Sequence, residues 1–121
     1  MYDVSIHPQH QLMKIKVEGF WSIDDMACYA AELRRASTAL TEQAGPCRRI
    51  FVDMSDYPIQ SADVAAGHAT ALQYASDKLG ASAALVLQGA LAKMQATRVL
   101  KTDTHRVFAD ERSAMQWLMG L

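Results

Sequence analysis

The sequence predicts a single α/β domain built on a mixed, mostly parallel β-sheet, and three observations favour this class. Apolar and polar residues alternate over residues 2–6 and 13–17, which is the period of half-buried strands. Residues 49–54 and 83–87 are instead short apolar runs, typical of strands that a parallel sheet buries on both faces. Segments with helical spacing separate these runs, so we expect helical crossovers between parallel strands.

The first two strands are expected to form an antiparallel hairpin. Residues 7–11 (HPQHQ) supply the proline and polar side chains of a turn between them. Gly19 ends the second strand, and Ser22 with Asp25 resembles a capping box that starts the first helix. Gly45 and Pro46 end that helix. Its predicted inward line consists of Ile23, Met26, Ala30, Leu33, Ser37 and Leu40.

The rest of the chain repeats the strand and helix pattern. Ser61 can cap a second helix that Gly80 closes, and its apolar line is Val64, His68, Leu72, Ala75 and Leu79. A fourth strand precedes a third helix from about residue 90 to 102, and a short strand at 107–108 precedes a last helix capped by Asp110. The predicted order is β-β-α-β-α-β-α-β-α with about four helices, and residues 1–121 form one domain.

The composition is that of an ordinary globular domain, with 50% apolar and 21% charged residues. The formal net charge of −1 and the scattered basic residues give no field that attracts nucleic acid. No signal-peptide pattern and no bilayer-spanning apolar run is present, so we expect a cytoplasmic protein without membrane insertion. Cys28 and Cys47 are far apart in the sequence and are expected to be reduced.

Three segments resemble the small SpoIIAA-like proteins of the STAS superfamily, in the same order and spacing. They are residues 18–25 (EGFWSIDD), 49–54 (RIFVDM) and 107–118 (VFADERSAMQWL). The order of elements also resembles the STAS domain, and the similarity covers nearly the whole chain. The resemblance implies a STAS-like fold. It implies no particular chemistry, because these segments consist mainly of strand, cap and packing residues.

The resemblance also directs attention to the start of the second helix. Regulatory STAS proteins carry a phosphorylated serine there, within an Asp-Ser-Ser-Gly type of motif. This sequence has QSADV at residues 60–64, with Ala62 nearest the phosphorylated position and Ser61 as the neighbouring hydroxyl. Ser61 is therefore the candidate phosphorylation site. A phosphate would favour the positive helix end, although Asp63 would oppose it.

The carboxyl ends of the parallel strands are the expected binding edge, because ligands of open α/β sheets gather there. The candidate ligand- or partner-binding residues at this edge are Asp53, Ser55, Tyr57, Ser61 and Gln88, accompanied by Asp56 and Gly89. The alternative interpretation is that Asp53 and Ser55 only order their loop through local hydrogen bonds.

His68 is a further candidate, since it lies on the apolar line of the second helix near the end of the third strand. It could act as an acid or base there, or simply be a packed, hydrogen-bonded histidine. No nucleophile motif and no glycine-rich phosphate motif occurs, and His7 and His10 lack a third metal ligand. We therefore predict no catalytic residue, no metal and no cofactor.

Met94 is the candidate binding residue on the predicted third helix, whose apolar side chains point in more than one direction. Such surplus apolar surface can form a subunit interface or line an apolar pocket against the second helix. Ordinary packing against the neighbouring helix is the alternative.

Three functions are compatible with these features. The first is a non-enzymatic STAS-like regulatory or protein-interaction module that contacts a protein partner, or forms a homodimer, through helices two and three and adjoining loops. The alternative is a carrier or sensor of a small apolar, lipid-like ligand, because SpoIIAA-like proteins resemble SEC14-type lipid-transfer domains in architecture. Small residues on the second helix could leave room for a pocket: Ala65, Ala66, Ala69 and Ala71. The third hypothesis is a hydrolase or isomerase that uses His68 with Asp53.

Overall fold

The computed structural model describes residues 1–89 and 104–120. Its strands are Tyr2–His7 (β1), Leu12–Glu18 (β2), Arg49–Asp56 (β3), Ser82–Val86 (β4) and His105–Phe108 (β5). They form one sheet in sequence order, in which β1 and β2 pair antiparallel and all other neighbours pair parallel. The described helices are Ile23–Ala44 (α1), Ala62–Tyr74 (α2) and Glu111–Met119 (α3).

This architecture confirms the predicted α/β class with an N-terminal hairpin and a mostly parallel sheet. The helix predicted over about residues 90–102 lies outside the described residues, as does Met94. No helix in the described part of the chain is long and apolar enough to cross a membrane.

The hairpin between β1 and β2 closes through a short 3-10 turn at Pro8–His10. Gln11 follows with a left-handed backbone at φ 49°. Its side-chain amide donates hydrogen bonds to the carbonyl oxygens of Ala44 at 3.0 Å and Pro46 at 3.1 Å. The turn is thereby fixed to the end of α1.

Helix α1 begins with the predicted capping box. The Ser22 hydroxyl accepts from the Asp25 amide at 3.1 Å, and the Asp25 carboxylate accepts from the Ser22 amide at 2.8 Å. The predicted inward line is wrong at Ile23, which is 65% exposed. The buried residues of α1 are Tyr29, Ala36 and Leu40. At 3.6 residues per turn, Ile23 lies about 120° from the centre of that stripe.

Strand β3 separates two hydrophobic cores, because its successive side chains point to opposite faces of the sheet. Ile50 and Val52 belong to the core under α1 and α2, together with Leu40, Val64 and Leu85. Phe51 belongs to the second core, which α3 covers with Ala114 and Leu118. The apolar run at 49–54 therefore marks a strand buried on both faces, as predicted.

Helix α2 begins at the predicted cap, where the Ser61 hydroxyl accepts from the Val64 amide at 3.4 Å. It continues as a π-helical turn over Ala75–Leu79 and ends at Gly80, which has a left-handed φ of 63°. The sequence indicated the glycine stop but not the wider turn before it.

A half-buried chain of polar side chains connects the end of α2 to the start of β5. His105 is buried, and its Nε2 lies 3.2 Å from the Leu72 carbonyl oxygen. Because a carbonyl can only accept, Nε2 donates to it. Nδ1 forms a hydrogen bond of 2.8 Å with the Thr104 hydroxyl, which forms another of 3.1 Å with the Ser76 hydroxyl. Strand β5 begins at His105, two residues before the strand predicted at residues 107–108.

Candidate functional site

Asp53 and Ser55 form a local turn at the carboxyl end of β3. Asp53 Oδ1 accepts from the Ser55 backbone amide at 3.0 Å and from the Ser55 hydroxyl at 2.6 Å. Both residues are half-buried. These contacts support the interpretation that Asp53 and Ser55 order the loop.

Lys16 of β2 lies beside these residues and was not predicted as part of the edge. Its Nζ is 3.9 Å from the Asp53 carboxylate and 3.4 Å from that of Asp56. The hydrogen bond to Asp56 and the charge of Asp53 raise the pKa of Lys16. The pairing register places Lys16 opposite Asp53. Such exposed pairs contribute little to stability.

Tyr57 and His68 form a second half-buried polar pair at this edge. The Tyr57 hydroxyl lies 2.6 Å from His68 Nε2. The His68 ring also packs against Trp21, Tyr29 and Tyr57 with centroid separations of 5.0, 5.2 and 5.1 Å. Burial lowers the pKa of His68 to about 4 and raises that of Tyr57. Both groups are consequently uncharged at neutral pH.

His68 and Asp53, which the third hypothesis paired as an acid and base, have different partners. His68 contacts Tyr57, whereas Asp53 contacts Ser55 and Lys16. The structure therefore offers no direct His68–Asp53 hydrogen bond among its described residues.

Gln60 joins the two loops that follow β2 and β3. Its side-chain oxygen accepts from the Trp21 backbone amide at 2.9 Å. Its nitrogen donates to the carbonyl oxygens of Gly19 and Pro58, each at 2.9 Å. One amide side chain thus holds three backbone groups, a role that its sequence position did not reveal. We call this arrangement the Gln60 bracket.

The remaining predicted residues are more dispersed. Ser61 is exposed at the start of α2, and Gln88 is exposed after β4. Of the predicted set, the structure groups Asp53 with Ser55 and Tyr57 with His68.

A cavity of about 520 Å³ lies between α1, α2 and the sheet. Its floor is apolar and consists mainly of Met13, Ile15, Ile50, Val52 and Leu85. Near one end the two helices almost touch, because a Cβ atom on Gly67 would lie 2.7 Å from Met26 Cγ. Away from this contact the helices leave room between them, with Ala30 and Leu33 facing Ala71 and Leu72 across the space.

Comparisons with known proteins identify the fold. No family model matches the sequence, and no curated protein matches it either. A solved structure does match: a protein of the DUF3478 family with a SpoIIAA-like fold from Shewanella loihica PV-4. The superposition covers 97% of this chain and 93% of that one, with a TM-score of 0.70 and 21% sequence identity. This chain has a SpoIIAA-like fold.

The SpoIIAA-like fold agrees with the resemblance found in the sequence, and at this identity the likeness concerns the fold alone. It therefore assigns no role to the cavity or to the edge residues. Within residues 1–89 and 104–120, no group of three histidine, cysteine, aspartate or glutamate side chains is placed to hold a metal ion.

Within this SpoIIAA-like domain, the cavity contains polar residues that the sequence did not single out. Tyr29 lines it and is only 3% exposed, and no described residue makes a hydrogen bond to its hydroxyl. Burial, and to a smaller extent the nearby Tyr57 phenol, raises the pKa of Tyr29. His68 lines the same cavity, so it connects the predicted edge to the space between the helices.

Proposed function

We propose that this protein is a non-enzymatic STAS-like module that binds a small, largely apolar ligand in the cavity between α1, α2 and the sheet. The cavity volume of about 520 Å³ is the observation that supports this most directly. Small-molecule sites typically measure about 300–1,000 Å³, with mostly apolar walls and few polar groups. The pocket considered from the sequence lay between helices two and three, whereas this one lies between helices one and two.

The walls explain why an apolar molecule is the suitable occupant. Met13, Ile15 and Val52 expose apolar surface to the space, and a ligand that covers it gains roughly 25 cal/mol for each Å² removed from water. Tyr29 and His68, two lining groups whose pKa values burial shifts, are uncharged at neutral pH. A ligand body with a charge at that depth would lose its hydration without a compensating ion.

Binding of the uncharged fluorescent probe N-phenyl-1-naphthylamine tests this function. We expect saturable binding to the wild-type chain. Ala30→Phe fills the cavity from α1 and should weaken binding by about tenfold or more, which corresponds to roughly 1.4 kcal/mol. Ala31→Phe is the matched control, because Ala31 is exposed and does not line the cavity. Equal affinities for both variants, or no saturable binding, would refute the proposal.

A protein-interaction role has its own support at the carboxyl edge of the sheet. Phe20, Ile23 and Ile59 are 78, 65 and 64% exposed, and the Gln60 bracket holds the loops that carry Phe20 and Ile59 together. Exposed apolar side chains on loops that are held together in this way are typical of interaction sites. We propose a second copy of the chain as the occupant to test first.

Sedimentation over a range of concentrations measures this self-association. Replacing Phe20 and Ile59 with serine should shift the protein towards monomer, whereas Tyr74→Ser, an exposed aromatic at the other end of α2, should not. A wild-type chain that stays monomeric at every concentration would argue against the homodimer. Ser61 remains a predicted phosphorylation site at the same edge.

A further inference from the structure

The opening of the cavity along α1 carries a polar cluster. Arg34, Ser37 and Thr38 all line the cavity, and their spacing of three and four residues places them on one side of the helix. Arg34 and Thr38 are exposed, and Ser37 is half-buried. These side chains therefore form part of a rim where the apolar interior meets water.

Among the described residues that line the cavity, none compensates the charge of this rim. Arg34 is the one lysine or arginine among the described lining residues, and they include no aspartate or glutamate. Arg34 forms no salt bridge with the described residues, whereas its neighbour Arg35 pairs with Glu32. A guanidinium with two hydroxyl neighbours is a set of donors that suits an anionic oxygen group.

We propose that the ligand is an amphipathic monocarboxylate of the fatty-acid type, with its carboxylate at Arg34 and its apolar body over the cavity floor. This inference rests on the proposed ligand-binding function and adds the chemical class of the ligand. The exposed position of Arg34 lets the carboxylate keep part of its hydration, while Ile15, Ile50 and Val52 receive the chain.

A phosphodiester lipid with two acyl chains fits the site less well. The described part of the rim supplies a single cation, and a phosphate is usually held by several donors or by more than one positive charge. A neutral long-chain alcohol would use the apolar floor but would gain nothing from the charge of Arg34. The acid and the matched alcohol therefore separate the effect of the head group from that of the chain.

Competition against N-phenyl-1-naphthylamine provides the test, with dodecanoate and 1-dodecanol as competitors below their aggregation limits. We expect the affinity for dodecanoate to be at least about five times that for dodecanol, which corresponds to one charge-assisted contact of roughly 1 kcal/mol. Arg34→Gln should abolish this preference and leave dodecanol binding unchanged. Arg35→Gln is the control, because Arg35 is exposed on the same helix and does not line the cavity, and it should keep the preference. Circular dichroism should show that both variants are folded.

The outcomes separate the two proposals. If acid and alcohol bind equally, or if Arg34→Gln keeps the preference for the acid, the carboxylate assignment is wrong and the apolar cavity remains. If neither compound displaces the bound probe and neither binds directly by calorimetry, the fatty-acid assignment is wrong, whereas a lack of saturable probe binding overturns the ligand-binding function itself. Raising the ionic strength should reduce the preference for dodecanoate, since salt screens an exposed charge pair.

Discussion

His68 lies between an aromatic cluster and the cavity, and burial rather than a charged neighbour sets its protonation. Its Nε2 is 2.6 Å from the Tyr57 hydroxyl, and burial lowers its pKa to about 4 from an ordinary value of 6.5. A proton on His68 would place a charge among Trp21, Tyr29 and Tyr57, with no carboxylate partner in the described part of the chain. The folded protein therefore keeps this imidazole neutral.

This pKa predicts a loss of stability in acid. Between pH 6.5 and about 4 the unfolded chain binds a proton at His68 that the native chain does not bind, so stability falls as the pH falls. One such proton changes the unfolding equilibrium constant by about tenfold per pH unit within that window. Urea titrations of the wild type and His68→Gln at several pH values measure the difference between them.

The difference isolates His68 from the carboxylates that titrate at and below the acid end of this window, since the ordinary pKa values of Asp25 and Glu32 are 3.8 and 4.5. The pKa of Asp25 is lowered by its capping hydrogen bonds, and that of Glu32 by its bond to Arg35. Protonation of either carboxylate in acid therefore also removes a contribution to the stability of the folded protein. These contributions are shared by wild type and variant. Parallel stability curves between pH 6.5 and 4 would mean that His68 is protonated as easily in the folded chain as in the unfolded one.

At the residue scale, sequence reasoning succeeded where a local rule applied. The alternatives weighed for Asp53 and Ser55 included the hydrogen-bonded turn that the structure contains, because such turns involve residues only two positions apart. Tyr29 and Arg34 were not singled out as site residues. Their place at the cavity depends on how far α1 and α2 separate, which no local pattern encodes.

At the scale of elements, α1 depends on its first turn. Ser22 and Asp25 satisfy each other's backbone amides, and Asp24 adds a second carboxylate near the positive end of the helix. Twenty-two residues follow this start without a proline or glycine. Helix α1 forms one wall of the cavity and one side of the first core. Both therefore depend on a correctly formed N-terminus of this helix.

Ser22→Ala should destabilise the protein by about 1 kcal/mol, because the Asp25 amide loses its acceptor. Ser22→Gly is the matched comparison and should cost only a few tenths of a kcal/mol, since glycine lets water reach the amide. Urea unfolding midpoints provide the measurement. Equal costs for the two variants would show that the side-chain hydrogen bond is not the stabilising feature.

Elements with strong periodicity were predicted well, and irregular ones were not. The strand at β3 and the caps at Ser22, Ser61 and Asp110 follow from spacing and residue type. The π-helical turn at Ala75–Leu79 and the early start of β5 at His105 do not. Both belong to one tertiary contact, in which Ser76 of the turn bonds to Thr104 and Thr104 to His105, and the sequence does not reveal it.

At the scale of the whole molecule, the two cores share one sheet. The core under α1 and α2 and the core under α3 meet across β3, where Ile50 and Phe51 point to opposite faces. The same strands carry both faces, so disruption of the strands on one side would also expose the core on the other side. We therefore expect the two faces to unfold together.

Each core carries one tryptophan, and this makes the prediction measurable. Trp21 is buried in the first core, and Trp117 packs against the second. In the single-tryptophan variants Trp117→Phe and Trp21→Phe, fluorescence reports one face at a time. The fluorescence curve of each variant should coincide with its own far-ultraviolet circular dichroism curve, even if substitution shifts its midpoint. A fluorescence transition that precedes the dichroism change in either variant would show that one face opens alone.

The Gln60 bracket orders the loops at the carboxyl edge before any partner binds there. Because its three hydrogen bonds fix the backbone of both loops, Phe20 and Ile59 are presented from a scaffold that is ordered before contact. Association then costs little loop entropy, and docking should resemble the meeting of two rigid surfaces. Gln60→Ala should slow complex formation more than it alters the contacts made, since the loops would have to become ordered during the encounter.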